Sequence, residues 1–80
     1  MRAPSSPWTH IEAFVKSGGN VSIGPIEPII DCAAVAADNH NMLAALVRRP
    51  DEAFMHLLDR LDRAIDQAVN HDRFTDEING

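Results

Sequence analysis

The sequence predicts a small α+β domain: a short N-terminal helix, a β-hairpin, and a long amphipathic C-terminal helix packed on the sheet. Three observations predict it. Apolar residues recur at three- and four-residue spacing from Phe54 to Ala68, as on one face of a helix. Two apolar runs, Ile29 to Ala37 and Met42 to Val47, are separated by the polar block Asp38-Asn39-His40-Asn41. Finally, Thr9-His10-Ile11-Glu12 has the form of a capping box, and Gly18-Gly19 follows as a helix stop.

Residues 1–8, rich in small residues and proline, read as a disordered lead-in. In the capping box, Thr9 accepts from the amide of residue 12 and Glu12 reaches back to the amide of Thr9. Ile11, Phe14 and Val15 then keep helical spacing, which predicts a helix over about 9–17. Asn20-Val21-Ser22-Ile23-Gly24 alternates polar and apolar residues and then meets Pro25 and Pro28. Proline lacks a ladder donor, so this segment is a short edge strand or an extended connector.

The middle of the chain is open to two readings. Alanine favours helix, which would make a small all-α domain the alternative fold. Four consecutive polar residues, at about 100° each, sweep most of a helix circumference, so no apolar stripe runs through residues 38–41. Asp and Asn side chains also satisfy nearby backbone groups in turns. A four-residue loop suits a hairpin, which gives strands at 29–37 and 42–49.

The last element is the clearest. Asp51 is placed to cap a helix over 51–70, which is ~30 Å long at about 1.5 Å per residue. Phe54, Leu57, Leu58, Leu61, Ala64, Ile65 and Ala68 form its apolar stripe. The opposite face holds His56, Asp59, Arg60, Asp62, Arg63, Asp66 and Gln67, with Asp59 and Arg63 at i, i+4 for an ion pair. Phe74 and Ile78 are apolar pegs, and residues 75–80 read as a loose tail after a single domain over 9–74.

The string Leu46-Val47-Arg48-Arg49-Pro50-Asp51-Glu52, then Leu57-Leu58-Asp59-Arg60-Leu61-Asp62-Arg63-Ala64-Ile65, then Phe74-Thr75-Asp76-Glu77-Ile78-Asn79 resembles short uncharacterised bacterial proteins that carry similar strings. The resemblance covers the C-terminal half. That group carries no known activity or ligand, so it implies a bacterial cytoplasmic setting and no site.

Composition narrows the function classes. Eighty residues make one domain at most, with a core worth only ~3–5 kcal/mol. Cys32 is the sole cysteine, which rules out an internal disulfide and a thiolate zinc site and fits a reducing compartment. Its neighbours, Asp31 and a run of alanines, suggest a buried inert thiol. The N-terminal residues lack the apolar core of a signal peptide. No stretch approaches the roughly 18 apolar residues of a membrane span, so the expectation is a cytoplasmic protein without membrane association.

Residues 1–50 hold four bases and four acids, whereas residues 51–80 hold eight acids and three bases, a net of −5. Such a segment repels phosphate backbones and steers basic partners. The four histidines form no tight pair; His56 near Glu52 and Asp59, and His40 in the polar turn, are the only metal candidates, and ordinary solvation explains both. No cofactor is therefore expected. Arg48 and Arg49 are the one basic pair, suited to phosphate or to ion pairs with Asp51 or Glu52.

The expected function is a non-catalytic acidic protein-binding module that regulates or inhibits a basic or nucleic-acid-associated partner. Asp59, Asp62, Arg63 and Asp66 are its candidate contacts. A nucleic-acid-binding regulator using Arg48 and Arg49, and a small metal-binding protein, are the alternatives. The C-terminal stripe is also suited to self-association as a homodimer.

Overall fold

The computed structural model describes residues 7–79. The elements are α1 (Thr9–Lys16), β1 (Asn20–Ile26), β2 (Ile30–Ala37), β3 (Met42–Val47), α2 (Phe54–His71) and β4 (Thr75–Asp76). The four strands form one sheet in the order β1-β2-β3-β4; the first three are antiparallel neighbours, and β4 lies parallel to β3. This is the α+β class read from the sequence, and the all-α alternative does not occur.

The apolar stripe of α2 is spent inside the chain. Leu57, Leu61, Ala64, Ile65 and Ala68 are buried against Ala34, Ala36, Ala44 and Leu46 of the sheet and Phe14 of α1. Ala34 lies opposite Leu46 in the ladder and Ala36 opposite Ala44, so these four share one sheet face. Three alanines there let the helix lie close to the strands. The runs that suggested helices by composition are strands because their small side chains complement the larger residues of α2, a tertiary preference that overrides intrinsic propensity. Cys32 packs at the margin of this core. Leu57 and Leu61 have no exposed surface, so this part of the stripe builds a core within one chain.

The polar block is the turn between β2 and β3. Asp38 Oδ1 accepts from the amides of His40 and Asn41 at 2.8 and 2.7 Å, and these bonds hold its carboxyl below the usual range. The register shifts just before this turn, between Ala36 and Ala37. The irregularity places Leu43 and Ala44, adjacent in sequence, in the same core. The β1–β2 turn contains a cis Glu27–Pro28 bond. Pro25 sits at a second irregularity, between Gly24 and Ile26 on the edge strand, where a missing donor is tolerated.

Several boundaries differ from the sequence reading. The α1 capping box does not form: no side-chain bond from Trp8 or Thr9 caps the helix, and Glu12 pairs with Lys16 at 3.5 Å. Helix α2 begins three residues late, after Ala53, because the Glu52 side chain is drawn into an ion pair with Arg60 two turns along. It ends at Asp72, whose φ of 56° supplies the left-handed C-terminal geometry usually left to glycine. Phe54 is half exposed, outside the stripe, and Phe74 is likewise an exposed peg.

The tail read as loose from residue 75 is tied down. Thr75 and Asp76 pair with Ala44 and Ala45, and the Glu77 amide donates to the Ala45 carbonyl at 2.7 Å. Of the expected disordered lead-in, residues 1–6 lie outside the described residues. Trp8, at its end, is instead fixed by a bond from its indole Nε1 to Asp59 Oδ1 at 2.8 Å.

Candidate functional site

Helix α2 carries nearly all the chain's polar machinery, divided between two clusters that face different parts of the fold. The first is at the start of α1. Asp62 Oδ1 accepts from the backbone amides of His10 and Ile11, each at 2.9 Å. Those are first-turn donors that have no partner within their own helix. The cap that Thr9 fails to supply therefore comes from a residue some fifty positions later. The His10 ring completes the arrangement, with Nδ1 2.9 Å from Asp62 Oδ2 and Nε2 3.3 Å from Asp66 Oδ1. Only the imidazolium form offers a donor to both carboxylates. The hydrogen bond to Asp62 raises the His10 pKa above its ordinary value; burial opposes this, and the charges of Asp62 and Asp66 reinforce it.

The second cluster joins the start of α2 to β4. Glu52 has a side chain only 2% exposed, yet all four of its acceptor directions are met. Oε1 takes the Arg49 amide at 3.1 Å and Arg60 Nη2 at 2.9 Å; Oε2 takes Arg60 Nε at 2.7 Å and His56 Nδ1 at 2.6 Å. Arg60 also donates to Glu77 Oε2 at 2.8 Å and to the Val47 carbonyl at 3.0 Å. A guanidinium fork against a carboxylate is the strong form of such a contact. The bonds from Arg60 hold the Glu52 carboxyl far below the usual range, even against the opposing effect of burial. No buried side-chain polar atom among the described residues lacks a hydrogen-bond partner.

This geometry gives the acidic side chains of α2 structural bonds within the chain. Asp62 is only 9% exposed and is committed to capping α1. Asp59 holds the Trp8 indole rather than pairing with Arg63. Asp66 accepts from Asn70 Nδ2 at 2.6 Å and faces His10. Three of the four candidate contacts thus hold the molecule together. The fourth, Arg63, lines a groove between α2 and the β3–β4 edge. Arg49 lines the same groove, whereas Arg48 donates through Nε to the Glu52 carbonyl at 2.9 Å, not to a carboxylate.

No protein-family model matches the chain, and no significant match exists among curated proteins or solved structures. Chemistry has to be read from the residues alone. Among the described residues, no group of three or more His, Cys, Asp and Glu side chains is placed to hold a metal ion. None of their helices is long and apolar enough to cross a membrane.

Exposed large apolar side chains occur on α1 (Val15), β3 (Met42), α2 (Phe54, Met55, Val69) and at Phe74, and three more, Ile23, Ile26 and Ile29, stand on the β1–β2 hairpin. Pro25 to Ile29 are all exposed, and Ile29 at the turn is 84% exposed. Below it, Ile23, Pro25, Ile26, Ala33 and Val35 line a shallow depression of about 220 Å³. The exposed carboxylates Glu27 and Asp31 flank the turn. The sequence reads this segment as a short edge strand or an extended connector and assigns the arm no role. The available signal was Ile26 and Ile29 spaced around prolines, where no regular element could bury both.

Proposed function

We propose that this chain is a non-catalytic, acidic protein-binding module that docks through its β1–β2 hairpin. The supporting observation is the apolar arm: Ile23, Ile26 and Ile29 are exposed on one projection, with Glu27 and Asp31 beside them. Isolated exposed apolar residues are ordinary, but several on one projection are a recognition feature. The polar clusters of α2 hold α1 and β4, and Ile29, at 84%, is the most exposed large apolar side chain among the described residues.

The partner is a protein that presents an apolar patch ringed by basic side chains. The net charge of −5 draws such a surface in, and Glu27 and Asp31 fix its register. A cytoplasmic site of action suits a chain with one unpaired cysteine. The decisive experiment is a tagged pull-down from nuclease-treated lysate, eluted by salt and compared with an Ile26→Ser, Ile29→Ser variant. Ile29 is almost fully exposed and Ile26 partly so, and a melting curve of the variant checks that it is folded. A stoichiometric basic protein lost from the variant supports docking through the arm. The same protein retained by the variant would overturn it.

A further inference from the structure

We propose that the groove between α2 and the β3–β4 edge is a binding site for a phosphate monoester, a site separate from the hairpin arm. The groove is about 290 Å³, floored by Leu46 and Ala64, with Arg49, Arg63, Gln67 and Thr75 around it. Arg60 and Glu77 also reach it, but they are occupied with each other and, in turn, with Glu52 and the Val47 amide.

The argument rests on an excess of donors whose local acceptors have been diverted. Arg63 stands four residues after Asp59, the natural partner on a helix, but Asp59 is turned to the Trp8 indole. Arg49 is three residues before Glu52, but that carboxylate is filled by Arg60, His56 and the backbone amide of Arg49 itself. Neither guanidinium donates to any group among the described residues. Arg49, Arg63, Gln67 and Thr75 therefore line one groove whose only carboxylate, Glu77, is already bonded to Arg60 and the Val47 amide. In a chain of net charge −5, two uncompensated guanidiniums on one groove mark a place where an anion replaces missing carboxylates.

A phosphate monoester is the anion that fits. Its dianion matches two guanidiniums, and its three terminal oxygens accept from both forks, from Gln67 and from Thr75. A monocarboxylate matches only one fork. A nucleic-acid backbone offers one charge per phosphate, and the acidic surroundings repel its neighbouring phosphates.

The test is an amide-resolved NMR titration of the full chain with inorganic phosphate at pH 7.5 and low ionic strength, with acetate as the comparison. The expected result is a saturable shift of the Ala64, Gln67 and Thr75 amides by phosphate and a weaker response to acetate. Arg49→Gln and Arg63→Gln should each weaken binding by about tenfold. Arg63→Lys, which keeps the charge and loses the fork, should fall between. Arg73→Gln, outside the groove, should titrate like the unaltered chain. The same spectra report whether each variant is folded. An unsaturable response, or one unchanged in folded Arg49→Gln and Arg63→Gln, would overturn the assignment. So would an oligonucleotide that binds more tightly than phosphate through these residues.

Discussion

Replacing Asp62 by alanine should be far more damaging than replacing Thr9, although the sequence assigns Thr9 to the cap. In the structure Asp62 Oδ1 accepts the amides of His10 and Ile11, and Oδ2 faces the His10 ring. Loss of an N-cap acceptor costs about 0.5–2 kcal/mol. The His10 side chain is 43% exposed, so solvent screening limits the added loss of its ion pair to under ~1 kcal/mol. Together these give about 1–3 kcal/mol, set against a total near ~3–5 kcal/mol for a core of this size. In a domain of this length, each kcal/mol lowers the melting temperature by roughly 4–8 °C. Thr9 makes no capping bond, so Thr9→Ala should stay within ~0.5 kcal/mol of the unaltered protein. Asp62→Asn retains an acceptor for the amides and should fall between. Urea denaturation followed by far-ultraviolet circular dichroism, with equal slopes required across variants, measures all three. A Thr9→Ala loss equal to or greater than that of Asp62→Ala would refute capping across the fold.

The pH dependence has a defined sign. His10 has a raised pKa when folded, so its contribution is complete below its ordinary value of 6.5 and fades as pH rises through the raised value; stability should decline on the alkaline side of 6.5, and His10→Asn should flatten that decline. Glu52 has a depressed pKa, so its contribution is complete above its ordinary value of 4.5 and is lost as pH falls below that, visible as acid unfolding in a circular dichroism titration. Glu52→Gln, which leaves Arg60 paired with Glu77 alone, should cost about 1–3 kcal/mol, while Glu52→Leu combined with Arg60→Met should be more stable than either single change; a double variant no better than its parents would contradict the charge argument. Gly19→Ala should destabilise by about 1–3 kcal/mol, because a Cβ there meets the ring of Phe14, which is itself buried; an unchanged melting curve would show that the ring yields freely.

What was legible in the sequence followed from periodicity. The stripe from Leu57 to Ala68 reports its buried face directly, because neighbours on a helix are three and four residues apart. The hairpin was legible because Asp38 to Asn41 excludes a continuous helix, even though the alanines on either side argue for one. The site residues were not legible, since their partners lie far along the chain. Nothing near Asp62 indicates that it serves amides at positions 10 and 11, and Thr9 offers a plausible local substitute. Glu52 and Arg60, eight residues apart, bracket a change of chain direction that a helical wheel does not represent. Thr75 and Asp76 form too short a strand to leave an alternation pattern.

The parallel pairing of β4 also determines how copies of this chain can meet. Thr75 and Asp76 occupy the side of β3 that would otherwise be a free ladder, and Asp76 folds back to accept the amides of Ile78 and Asn79. Asp76 places negative charge at that end, which disfavours an incoming strand. Among the described residues, no strand pairs with the outer side of β1. A sheet with two receptive sides propagates into filaments, whereas one with a single receptive side closes after two members. The short C-terminal strand thus acts as a cover on the β3 side of the sheet, at Ala44 and Ala45, and leaves β1 as the opposite edge.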